Sequence, residues 1–233
     1  MTVALSWSGG KDSALALRAL RDAGTEPAAL VTTVTEGYER ISMHAVRRAL
    51  LAAQAWAVGV PLVEVRIPQN CPNEVYEVRF EDAFATALAE IETFAFGDLY
   101  LEDVRAYREE RLARIGRQAV FPLWGRDTAA LADEFVRTGF EAVLVCVDPR
   151  VLDRAFAGRD YDRALLADLP EHVDPCGENG EFHTFVHAGP IFSRALSVER
   201  GPTVERDGFA FSDLRLSSRT RRGGRPARSR ASG

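Results

Sequence analysis

The chain has 233 residues, 46% hydrophobic and 27% charged, which is enough apolar content to bury a full core in one large domain or a domain with an appendage. Net charge is -5, yet six arginines and no acid fall between positions 219 and 230, leaving about -11 on the remainder; an acidic body argues against a nucleic-acid face on the folded part. No apolar run approaches the ~20 residues of a membrane span, no basic-then-apolar export signal opens the sequence, and Cys71, Cys146 and Cys176 form no metal-type doublet, so a cytoplasmic protein with reduced thiols is expected.

In chain order, residues 3–6 predict a short buried strand and 12–23 a helix rich in alanine and leucine. Residues 28–34 predict a second strand. A helix is expected over 43–58, with Val46, Ala49, Leu50, Ala53, Trp56 and Ala57 on its apolar face and Gly59 ending it. Residues 62–67 predict a third strand closed by Pro68. A long amphipathic helix over 74–92 follows, with Val75, Val78, Phe84, Ala85 and Leu88 among its apolar positions, then a short strand over 94–97. Strands alternating with helices imply a Rossmann-like α/β parallel sheet covered on both faces, whose ligands bind outside the carboxyl ends of the strands.

After Asp98 the character changes. Residues 102–115 predict a highly charged helix, 120–124 are apolar, 127–138 and 160–169 predict helices, and 142–147 a strand. The stretch 182–211 reads as β-rich, with turns at Gly189-Pro190, Gly201-Pro202 and Asp207-Gly208. The expected division is a nucleotide-binding unit over 1–97, a smaller mixed α+β unit over 98–217, and a disordered arginine-rich tail over 218–233.

Lys11, the single lysine against 28 arginines, sits in Ser8-Gly9-Gly10-Lys11-Asp12-Ser13 between the first strand and the first helix. Lysine is a compact point charge where arginine is a broad fork, which suits a tight phosphate pocket. The segment is not a Walker loop, because Leu5 stands where the first glycine belongs. It offers two glycines that let backbone approach a phosphate, a helix N-terminus that attracts anions, two hydroxyls and one ammonium. Asp12 either caps the helix or helps hold a magnesium ion.

The second unusual stretch is Asp174-Pro-Cys-Gly-Glu-Asn-Gly-Glu-Phe-His-Thr184, three acids and two glycines in a turn leading into a strand. Such a cluster suits magnesium, an amine or ammonium group, or general-base chemistry, or it is merely an exposed connection. His183 reads as a strand-surface residue, since no partner lies at metal-ligand spacing.

The six-residue loop resembles the pyrophosphate loop of the N-type ATP pyrophosphatase superfamily. Together with the Gly-Glu-x-Gly-Glu-x-x-Thr pattern and Gly189-Pro190-x-Phe192, it resembles the diphthine–ammonia ligase family, over about residues 3 to 192. That resemblance implies adenylation of a carboxylate by ATP, release of pyrophosphate, and displacement of AMP by ammonia; in the family the acceptor is diphthine on translation elongation factor 2. It implies that Ser8, Gly9, Gly10, Lys11, Asp12 and Ser13 hold the ATP phosphates, with magnesium as cofactor and Asp12 its candidate ligand. Thr33, Val34 and His44 would lie near the adenine. Gly97, Asp98, Glu178 and Glu181 would line the acceptor and ammonia side, and Lys11, Asp12, Glu178 and Glu181 would be catalytic.

Asn179, where eukaryotic members carry a glycine, and the charged helix after residue 101 resemble a short bacterial branch, in which the acceptor is expected to differ. The partners implied are ATP, ammonia and a carboxylate-bearing protein side chain or small molecule; a homodimer is compatible. Two other readings share the loop, a tRNA sulfurtransferase using Cys176 and an ATP-binding regulatory module without turnover.

Overall fold

The computed structural model describes residues 2–37 and 46–217; His44, the first residues of the helix expected from position 43, and the tail over 218–233 lie outside the described residues. Short apolar runs alternating with helices give β1 (Val3–Ser6), α1 (Lys11–Asp22), β2 (Ala29–Thr35), α2 (Arg48–Val58), β3 (Leu62–Ile67), α3 (Asn73–Ala85), β4 (Thr93–Ala95), α4 (Glu102–Arg114) and β5 (Gln118–Val120). All five strands are parallel, in the order β3-β2-β1-β4-β5. The order reverses between β1 and β4, so the loops leaving those two strands face one crevice. β5 was not foreseen as a strand. Three residues with Gln118 exposed show no periodicity, and backbone pairing to β4 alone makes them one. The parallel sheet therefore continues past residue 97.

The second half supplies α5 (Thr128–Arg137), β6 (Glu141–Val147), α6 (Arg163–Asp168), β7 (Phe182–Ala188), β8 (Val198–Arg206) and β9 (Phe209–Leu216), the strands forming an antiparallel sheet in the order β7-β6-β9-β8. Asp127 and Asp162 cap α5 and α6, accepting from Ala130 N at 2.7 Å and Leu165 N at 2.8 Å. Asp207 and Gly208 both have positive φ (54° and 82°), as a two-residue hairpin between β8 and β9 requires. The turn expected at Gly201-Pro202 is instead a register shift inside β8. β8 is the sheet edge, where proline leaves no ladder donor missing.

Two helices differ from expectation. α3 stops at Ala85, and irregular turns then bring Leu88 and Ile91 into the core. Its core-facing stripe is Tyr76, Phe80 and Phe84, at i, i+4 and i+8, with Phe84 buried and the other two half-buried, which leaves Val75 and Val78 exposed. α2 buries part of the expected face, with Val46 before it and Leu50 and Ala57 within it all in the interior. Ala49 and Trp56 (62% exposed) face solvent, and Leu51, Gln54 and Ala55 face inward instead. α3 and α4 cover one face of the parallel sheet over Phe84, Phe94, Phe96 and Leu112. On the other face, α1 and α2 lie between the two sheets, in one apolar cluster running from Val3, Leu17 and Leu50 to Val143, Phe185 and Leu214. No helix among the described residues is long and apolar enough to cross a membrane.

Candidate active site

The loop after β1 is held from three sides. Gly9 takes φ 76°, and a Cβ there would lie 2.6 Å from Gln54 Oε1 and 2.7 Å from Leu51 Cδ2, so glycine is required twice over. Gly10, the N-cap of α1, donates its N–H to Ser8 Oγ at 3.2 Å. Lys11 N–H donates to Thr184 Oγ1 of β7 at 3.0 Å, and Ser13 Oγ to Gly10 O at 2.9 Å. Gly97, at the exit of β4, completes the crevice. A Cβ on it would lie 3.0 Å from the carbonyl carbon and oxygen of Asp12.

Lys11 is 3% exposed, and its ammonium sits 2.9 Å from both Asp12 carboxylate oxygens while donating to the Cys176 carbonyl. Burial pulls its pKa down, but Asp12, Cys176 and Glu178 together outweigh that and hold it above its ordinary value, so it stays charged. Burial pushes the Asp12 carboxyl up, and Lys11 pulls it back. Asp12 does not cap α1, because Gly10 occupies that position with no side-chain cap.

The acidic turn is built on Asp174, whose Oδ1 accepts from Cys176 N at 2.7 Å and Glu178 N at 3.5 Å. Gly177 and Gly180 take φ 67° and 86° to reverse the chain. Glu178 reaches across to the parallel sheet, accepting from Leu99 N at 2.8 Å. Burial raises its carboxyl to about 7, only partly countered by that hydrogen bond and by Lys11. Glu181 is 3% exposed and turned into its own turn. Its Oε1 accepts from Asp174 N at 3.1 Å and Asn179 Nδ2 at 3.0 Å, and its Oε2 has no hydrogen-bond partner among the described residues.

The structure thus brings Ser8 to Ser13, Gly97 and Glu178 together. Thr33 and Val34 lie in β2, next to β1, with Val34 in the core cluster. Asp98 is engaged from α4, Arg108 Nη2 donating to Oδ1 at 3.0 Å and Nε lying 2.9 Å from Oδ2. His183 is half-buried in β7, and burial, then Lys11, lowers it to about 4. Cys146 is a core residue, and Cys176 is 1% exposed with its thiol raised to about 12, by burial first. A cysteine so protonated is a poor nucleophile, which weighs against sulfur transfer.

Gln54 was not singled out from sequence, and Thr184 and Asp174, although inside the second unusual stretch, were assigned no role of their own. Thr184 ends the acidic pattern and could have been paired with the loop; Gln54 sits among alanines on a helix and carries no local signal.

A family model described as the diphthamide synthase N-terminal domain matches residues 1–120, and one described as the diphthamide synthase C-terminal domain matches residues 127–214. The chain belongs to the diphthamide synthase family. Relatives named diphthine–ammonia ligase include the following three. The one from Schizosaccharomyces pombe is 26% identical over 85% of this chain and 36% of its own length; the one from Danio rerio is 30% identical over 49% and 47%; the human one is 26% identical over 92% and 89%. The chain thus spans about a third of the yeast relative, and the zebrafish alignment about half of that protein.

Both diphthamide synthase matches meet at the crevice, the first contributing the loop and Gly97, the second the acidic turn and Thr184. No group of three or more histidine, cysteine or acidic side chains suited to a metal occurs among the described residues. Among the described residues, Asp12 is the side chain that would suit magnesium. Asp12 is partly exposed, at 31%, and offers a single carboxylate to an ion that brings most of its ligands with it as phosphate and water.

Proposed function

We propose that this chain is an ATP-dependent amide-forming ligase. A carboxylate oxygen of the acceptor attacks the α-phosphorus of ATP and pyrophosphate leaves, an amide oxygen in its place leading to an amidine. Ammonia then attacks the activated carbon, AMP departs, and one proton is lost from nitrogen. One observation carries the reading: a charged, buried Lys11 stands at the switch point of a parallel sheet, inside a glycine loop, with the acidic turn closed over it. Family membership and the names of the relatives support it.

Lys11 and the N-terminal end of α1 would neutralise the leaving pyrophosphate, and Gly9 and Gly10 would let it approach the backbone. Asp12 would hold magnesium arriving with the nucleotide, which supplies further charge neutralisation. Glu178, beside Gly97 and Asp98, would take the proton that ammonia loses. Asp12 and Lys11 neutralise each other until phosphate competes for the ammonium, so the loop is ready for an anion without an unpaired buried charge. The acceptor is a carboxylate-bearing protein side chain or small molecule; diphthine is the acceptor in the relatives' name.

The test is ammonia-dependent release of AMP and pyrophosphate from ATP, assayed with diphthine-bearing elongation factor 2 and with fractionated cell extract as acceptor. Lys11→Ala should lower turnover by about 10²–10³-fold, the usual loss when one charge-stabilising group goes, with an unchanged circular dichroism spectrum. Pyrophosphate release at the wild-type rate in that variant would sink the assignment. ATP binding with no acceptor-dependent turnover in any fraction would favour the regulatory module.

A further inference from the structure

We infer that Gln54 is a positioning residue of the nucleotide site, a buried amide that locks the phosphate loop to β7 and so ties the loop's shape to the acidic turn. The inference rests on the reading of Ser8 to Ser13 as the ATP site. Gln54 is 0% exposed, on α2, in an otherwise apolar neighbourhood that includes Leu50, Leu51 and Ala55. A buried amide in such a place is costly unless satisfied. Here its oxygen and both its N–H groups are used. Oε1 accepts from Trp7 Nε1 at 3.0 Å, and Nε2 donates to Gly9 O at 3.0 Å and to Val186 O at 2.5 Å.

Every partner belongs to the site or its flanks. Trp7 is the residue after β1, Gly9 is the left-handed residue of the loop, and Val186 lies in the strand that follows the acidic turn. Val186 N–H donates back to Gly9 O at 2.9 Å, closing a ring between loop, β7 and Gln54. The same β7 supplies Thr184 Oγ1 to the Lys11 N–H. A shift of Gly9 would therefore move with β7, and through it with Glu181 at the strand's start. Glutamine is the side chain that does this without charge: it has one acceptor for an indole N–H and two donors for two carbonyls. A core serving packing alone would take leucine or methionine here.

The test is calorimetric titration of magnesium-ATP onto the full chain. Gln54→Met keeps the volume and removes all three bonds, and should weaken ATP binding at least 10-fold while the nucleotide-free thermal midpoint falls by only a few degrees. Gln54→Glu, protonated when buried, restores one donor and should fall between the two. Trp56→Ala, on the exposed face of the same helix, should bind like the wild type. Affinity within twofold of wild type in folded Gln54→Met overturns the inference. If Gln54→Met does not fold, Trp7→Phe, which removes one of the three bonds, decides it: a two- to fivefold loss supports the inference and unchanged affinity overturns it. A wild type that does not bind ATP overturns the nucleotide reading itself, and this inference with it.

Discussion

Glu178 is the residue whose chemistry depends most on where the fold puts it. In sequence it is one of several acids in a turn; in the structure burial lifts its carboxyl from the ordinary 4.5 to about 7, even though Leu99 N–H and Lys11 favour the anion. A base must be unprotonated to act. Turnover measured at constant free ammonia should therefore rise with pH and level off above about 7. In Glu178→Gln that limb should vanish and the plateau should drop by about 10²–10⁴-fold. Stability should move the other way. The folded state holds this proton more tightly than the unfolded chain, so its contribution is complete below about 4.5 and is lost as pH rises through about 7. Urea midpoints of the wild type should fall across that window relative to Glu178→Gln. A turnover profile identical in the two proteins would remove Glu178 from proton transfer.

Among the elements, the exit of β4 meets the start of α1 backbone against backbone. Gly97 has no special φ; what it needs is room, because a Cβ would press on the Asp12 carbonyl and lie 3.2 Å from Ser13 N, backbone that cannot rotate away. Gly97→Ala should cost about 1–3 kcal/mol of stability, as overpacking does, and weaken ATP binding about 10-fold by displacing the start of α1. Gly24→Ala is the matched control. Gly24 has φ 77° with nothing within 4 Å, so the backbone is strained far from the site, and stability should fall while ATP affinity holds. Equal ATP affinity in both variants would show that the contact does not shape the site.

This contrast also explains what the sequence could disclose. The loop from Ser8 to Ser13 and the turn from Asp174 to Glu181 were legible because each is contiguous and its residue types have few other uses. The parallel strands were legible as short apolar runs. Gln54, Gly97's close approach and β5 were not, because each is defined by a neighbour more than 20 positions away. The face of α2 was misread in part for the same reason: Leu50 and Ala57 are buried as expected, Ala49 and Trp56 are not. Trp56 reads as core by type, but its position is turned to solvent, where Arg194 stacks on the ring at 3.8 Å.

At the scale of the molecule, the change of composition near residue 98 coincides with no gap in the interior. The cluster around α1 and α2 draws Val3, Leu5 and Leu30 from the parallel sheet and Val143, Phe185 and Leu214 from the antiparallel one. Arg47, just before α2, adds a two-pronged ion pair to Asp213 of β9 at 3.0 and 2.8 Å. α1 buries Ala14, Leu15, Ala16 and Leu17 in succession and keeps Arg18, Arg21 and Asp22 toward solvent, so it would bare an apolar side if either sheet left. Removing the antiparallel sheet would expose that helix and strip Thr184 from the loop. The two halves should therefore unfold together, in a single calorimetric transition whose van't Hoff and calorimetric enthalpies agree. A fragment ending at residue 120 should lack a cooperative transition, although it contains the whole parallel sheet. Two resolved transitions in the full chain, or a folded fragment, would mean that the nucleotide half stands alone and that the acidic turn is carried by a separable unit. The geometry argues otherwise, because the charge that would meet the phosphates is already bound to a carbonyl from the other half.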